Sequence, residues 1–163
     1  MSLQILRPRM PQMMLPERHH GGVWKRTAAL PGAAVLPAED ILDFNTQVEV
    51  PYGVARSTPI ATYELGAGGL WQISGHIVIE GTGVAEYPRF RIYDARNNAT
   101  LFVEEFGVGP MGGERYPYSF CVRRRLDFGA QIRFAFSAAF SPINVVIVTG
   151  TFGCEVGFTR LGR

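Results

Sequence analysis

Lysine is nearly missing from this chain: of 16 basic residues, Lys25 is the one lysine and the rest are arginine. Against 14 acids the formal net charge is +2 over 163 residues. That is too weak a field to gather a polyanion or an anionic membrane. Cysteine is scarce, with two residues, which excludes a disulfide-built mini-domain. No apolar run approaches the ~20 residues of a membrane-spanning helix, so no membrane partner is expected. Long helix-favouring stretches are lacking too, because 19 glycines and 11 prolines interrupt the chain. What is present is 47% hydrophobic, 12% aromatic and 18% charged residues. Such a chain can build a core and lies outside the disordered class. These totals point to β-structure in about one domain and are silent on role.

The two cysteines are expected as free thiols. In the run from Tyr118 to Arg123, Tyr118, Phe120 and Val122 share a face, so Cys121 points with Ser119 and Arg123. Cys154 shares a face with Phe152, Val156 and Phe158, which sets the thiols on opposite faces of a sheet. No secretory signal is expected, since Arg7, Pro8, Arg9 and Pro11 interrupt the place of an apolar core segment. Synthesis in the cytoplasm follows as the expectation.

The pattern divides the chain into an extended, Pro-rich N-terminal arm over residues 1–57 and a domain over 58–163. The arm holds six of the eleven prolines, spaced too closely for a regular helix or a central strand. One helical turn is expected over 37–44, opened by Pro37 and with Glu39 and Asp40 in its first turn. Bases gather at 1–26 and acids at 39–49. The arm is also too apolar for a solvated linker, which predicts that it orders on a partner surface rather than across its own domain. Its docking candidates are Arg7, Arg9, Met10, Met13, Met14, Leu15, Trp24, Lys25 and Arg26.

From residue 58 onward, short strands alternate with glycine turns. Residues 69–80 put Trp71, Ile73, Gly75, Ile77 and Ile79 on one face and Gln72, Ser74, His76 and Glu80 on the other. Residues 89–94 turn Phe90 and Ile92 inward, and Arg96-Asn97-Asn98 reads as a hairpin turn. Further strands are expected at 100–106, 116–126, 131–136, 142–152 and 155–161. Residues 143–148 are apolar on both parities, which predicts a second buried face and self-association through Tyr93, Phe134, Phe136, Phe140, Val146 and Val148. The fold class is all-β, an antiparallel jelly-roll sandwich.

Three segments carry a resemblance. The run from Ala61 to Ile77, with its Gly-Leu-Trp-Gln-Ile-Ser strand start, resembles the opening of the tumour-necrosis-factor-like and complement-globular-head-like jelly rolls. The hairpin from Leu126 to Phe136 is similar to a later hairpin of that family, with Ala130 where an Asp is usual, and Thr151 to Leu161 is similar to its closing strand. The resemblance covers roughly 58–163 and implies a compact homotrimer. By layout, an arm on a small trimeric jelly roll resembles the decoration, or cement, proteins of tailed-phage capsids.

No catalytic, cofactor-binding or metal-binding set emerges. Asp127-Phe128-Gly129 lacks the context of a kinase motif and reads as a turn. The glycine loops at 66–69 and 107–113 lack a following Lys-Ser/Thr. His19-His20 has no further ligand at metal-binding spacing. Arg123-Arg124-Arg125 is the densest charge run, but residues 58–163 hold ten bases against nine acids, so an edge guard or a subunit contact is preferred to nucleic acid. The functional expectation is a non-enzymatic virion protein on the outer capsid surface. It would bind the major capsid protein as a homotrimer through its arm, with no small-molecule substrate. The alternative is a receptor- or glycan-binding head, or a secreted TNF-like binding module.

Overall fold

In the computed structural model, the described residues are 20–26, 40–58, 60–81, 88–105, 115–138, 145–147 and 154–163. They form twelve strands and no helix: β1 Gly21–Lys25, β2 Asp40–Ile41, β3 Thr46–Tyr52, β4 Val54–Ser57, β5 Thr62–Leu65, β6 Gly69–Gly81, β7 Pro88–Asp94, β8 Ala99–Glu105, β9 Arg115–Leu126, β10 Gln131–Ala138, β11 Val145–Ile147 and β12 Glu155–Gly162. All pairings between them are antiparallel.

In the front sheet, β6 is bounded by β9 along one edge. Its other edge is shared by β12 (at Leu70–His76) and β11 (at Ile79–Gly81), and β1 and β3 continue beyond β12. The rear sheet centres on β10, with β7 and then β8 on one side and β5 with β2 on the other; β4 closes that side. Consecutive strands lie in different sheets at every connection except β4 to β5, β7 to β8 and β11 to β12. This is the wiring of a jelly roll.

Alternation explains the faces. Trp71, Ile73 and Ile77 of β6, Phe120 and Val122 of β9 and Val156 and Phe158 of β12 are buried against Phe90 and Ile92 of β7 and Ile132 and Phe134 of β10. The aromatic rings interlock: Phe134 lies 5.3 Å from Phe44 and 5.7 Å from Tyr63, both nearly perpendicular to it. The predicted hairpin is present, and Asn98 takes a positive φ of 50° there. The buried Asp94 carboxylate secures that turn, accepting from the Arg96 N–H (3.0 Å), Asn97 Nδ2 (2.6 Å) and the Gln131 N–H of β10 (2.9 Å). Neither cysteine is in a disulfide; Cys121 is exposed and Cys154 buried. Burial raises the Cys154 thiol above its ordinary value, while the Val78 N–H donating to its sulfur (3.3 Å) works against that shift.

Two expectations are corrected. The boundary at residue 57 fails, because β1 and β3 belong to the front sheet and β2 and β4 to the rear one. Proline does not prevent this: Pro51 sits in β3, an edge strand, where the register with β1 slips between Glu49 and Tyr52, and edges and bulges are where a sheet admits proline. The helical turn over 37–44 is also absent from its described part. Asp40 and Ile41 pair with Phe136 and Ala135, and the Leu42 N–H donates to the Phe134 carbonyl (2.8 Å). Leu42 and Phe44 are then both fully buried, with a spacing of two that suits an extended chain. Residues 37–39 lie outside the described set.

Candidate interaction face

The outer face of the front sheet is built from cross-strand rows. One row runs Lys25–Glu155–His76–Ser119 across β1, β12, β6 and β9. The next runs Val23–Gly157–Ser74–Cys121, and the third Gly21–Thr159–Gln72–Arg123. Large residues are absent from the middle row, and the face is shallow there. A depression of about 370 Å³ lies over it, with His20, Val23, Glu49, Ser74, Gly157 and Thr159 in its lining.

The glycines of this sheet differ in cause. At Gly75, which points inward, a Cβ would lie 2.1 Å from the Glu155 carbonyl oxygen and 2.9 Å from Phe120, so the fold itself demands glycine. At Gly157, which points outward, the nearest atom to a Cβ would be Val23 Cγ2 at 3.7 Å, an ordinary contact. The domain's own packing has room for a side chain there, and glycine weakens a strand.

The row through His76 brings together an acid, an imidazole and a hydroxyl that no motif had linked. Their separation in sequence hid them; only the register of three strands aligns them. Among the described residues, Glu155 pairs with Lys25 (3.5 Å), and no hydrogen bond joins His76 to Ser119 or to Glu155. An activated nucleophile needs its base within ~3 Å, so this row does not supply one. His20 packs on Tyr52 with ring centroids 4.8 Å apart.

The residues expected to dock a partner are not brought together. Arg7, Arg9, Met10, Met13, Met14 and Leu15 lie outside the described residues. Trp24, expected as a docking anchor, is 2% exposed and packs edge-on to Tyr63 (5.2 Å) and Phe158 (5.6 Å). Arg26 is buried as well, with its N–H on the Cys154 carbonyl (2.9 Å) and Nη1 on the Asp43 carbonyl (3.1 Å). Lys25 is exposed, on the row already described.

The expected self-association set is likewise dispersed. Phe134 and Phe136 are core residues, because β10 is the central strand of the rear sheet and even Ala135 on its other face is fully buried. Tyr93 is half-buried on the rear sheet beneath the Arg91 guanidinium, 4.4 Å from its ring centre. Val146 lies in β11 opposite Glu80, while Phe140 and Val148 fall outside the described residues. Among the described residues, no cluster of three or more His, Cys, Asp or Glu could hold a metal ion.

No family model matches the sequence, and no curated protein matches it. Solved structures do match. Murine APRIL at pH 8.0 superimposes with a TM-score of 0.62 at 11% identity, covering 88% of this chain and 100% of that one. Eiger TNF from S. frugiperda gives 0.54 at 11% identity, covering 88% and 93%. The fold is a TNF-like jelly roll. At this level of identity the TNF-like likeness establishes architecture, and function has to be argued from the surface.

Proposed function

We propose that this chain is a binding and structural module, a homotrimer formed through the outer face of its front sheet. Its finer role is decoration of the outside of a virus capsid, bound to the major capsid protein through residues 1–19. One observation supports the self-association most: the outward Gly157, with room for a Cβ that the sequence withholds, in the middle of a row of small residues. Glycine inside a strand without a need of its own marks a place where another backbone comes close. The docking role rests on the composition of residues 1–19, where Arg7, Arg9 and Arg18 interleave with Met10, Met13, Met14 and Leu15. The fold shared with APRIL and Eiger TNF favours a second reading, a TNF-like module that binds a receptor or a glycan.

Size-exclusion chromatography with light scattering tests the first part. The chain is expected to run as a trimer, and Gly157→Arg and Ser74→Arg to run as folded monomers. A monomeric parent chain, or trimers in both variants, overturns the face assignment. Cosedimentation with purified tailed-phage capsids separates the two roles: shell binding supports decoration, and its absence favours the receptor or glycan reading.

A further inference from the structure

Just before its last residue, Leu126, β9 carries three consecutive arginines, Arg123, Arg124 and Arg125, and all three are exposed. The strand is twelve residues long and, among the described strands, pairs with β6 alone. In an antiparallel edge strand, alternate residues turn their backbone N–H and C=O groups away from the ladder, and these are open to another strand. None of the three guanidinium groups meets an acid among the described residues. Arg123 Nε donates to Gln72 Oε1 (3.0 Å) and Arg124 Nη1 to the Arg123 carbonyl (3.1 Å). The ion pairs between described residues lie elsewhere, at Lys25–Glu155, Arg56–Asp43 and Arg89–Glu105.

The same end of the sandwich gathers further basic groups. Arg124 and Arg160 flank Trp71 in one cross-strand row, and Arg125 and Gly162 flank Leu70 in the next. Just past β9, Phe128 is 69% exposed on its turn, and Arg96 Nη1 donates to its carbonyl (3.0 Å).

We propose that this end of β9 is a docking edge for an extended acidic peptide of a partner protein. The peptide adds as a strand beside β9 and sets alternate carboxylates against Arg123 and Arg125. Two independent features support this occupant. First, Arg123 and Arg125 stand on one face, two residues or about 6.6 Å apart, the same repeat as alternate side chains of an added strand. Second, the guanidinium fork matches a carboxylate with two parallel hydrogen bonds. Charges on an edge repel basic and apolar strands, and the same charges select an acidic one. A nucleic acid would meet the arginines but has no amide row to pair with the edge. The peptide pairs with the edge of the sheet, while Arg123 and Arg125 project at the border of the face assigned to self-association, where Arg123 ends the third row.

The test uses the full chain and a fluorescein-labelled peptide of alternating Glu and Val, read by fluorescence anisotropy. Saturable binding is expected, with slower amide hydrogen exchange over residues 117–125. The double variant Arg123→Glu/Arg125→Glu is expected to weaken binding at least about tenfold, and Arg163→Ala to leave it within about twofold. An N-methylated version of the peptide keeps the charges and lacks the donors, and it is expected not to bind. Equal binding of the N-methylated peptide, or tighter binding of oligothymidine, would make the edge a general polyanion patch and overturn the proposal. Loss of the trimer in the double variant would assign the arginines to the contact between copies instead. A parent chain that is monomeric yet binds the peptide would refute the self-association and leave this edge intact.

Discussion

Tyr63 shows how much one buried hydroxyl can hold. It donates to the Phe44 carbonyl (3.0 Å) and accepts from the Phe44 N–H (3.2 Å), so it completes both backbone groups of a residue 19 positions away. Beside it, Arg56 holds the Asp43 carboxylate through Nε (3.1 Å). Burial, reinforced by the charge of Asp43, pushes the Tyr63 phenol far above its ordinary value. A raised folded pKa means that the native state keeps a proton the unfolded chain has released. Stability from this group is therefore complete below about pH 10 and is lost progressively as pH rises beyond it. Urea unfolding is expected to show a falling free energy above about pH 10, and Tyr63→Phe to flatten that fall. At neutral pH the variant is expected to cost about 1–3 kcal/mol, because the Phe44 groups lose their partner inside the core. An unchanged alkaline slope would count against this assignment.

At the scale of elements, Trp24 separates the two readings of the N-terminal segment. As a docking anchor it would be dispensable to the fold. As found, it fills the space between Tyr63 and Phe158, and Trp24→Ala is expected to cost about 3–5 kcal/mol, measured by urea unfolding. A loss under about 1 kcal/mol would return the residue to the surface. The long strands were legible because β6, β7 and β9 alternate over seven residues or more, and the turn at Asn98 announces itself through asparagine's tolerance of positive φ. β1 and β4 were not. They are five and four residues long, lie among Gly and Pro, and take their stability from partners far along the chain, Gly157 and Glu155 for β1. Phe134 and Phe136 were misplaced for a related reason. Alternation shows which residues share a face, and only the sheet order reveals that β10 is central and that the face with Phe134 and Phe136 is the one turned to the core. The face proposed for self-association was invisible to pattern reading, since its mark is a missing side chain at Gly157.

At the scale of the whole molecule, residues 1–57 do not behave as one unit, and truncation can show it. The segment from Gly21 onward supplies β1, which joins β12 to β3, so the sheet has no continuity there without it. Removing residues 1–19 takes away the arginine- and methionine-rich stretch and no described strand. That variant is expected to remain a folded trimer, with its melting temperature within a few degrees of the parent, and to lose binding to the assembly. Removing residues 1–26 also takes away β1, Trp24 and the buried Arg26, and uncovers Phe158 and Tyr63 together. Apolar surface exposed on that scale forfeits several kcal/mol, a large part of what holds a domain of this size. The longer truncation is therefore expected to unfold or aggregate, as read by circular dichroism and light scattering. If both truncations melted alike, β1 would be an accessory of the sandwich, and the docking segment would extend through it. If the shorter one retained assembly binding, the contact would lie on the jelly roll itself, with the front-sheet face and the β9 edge as the surfaces to mutate next.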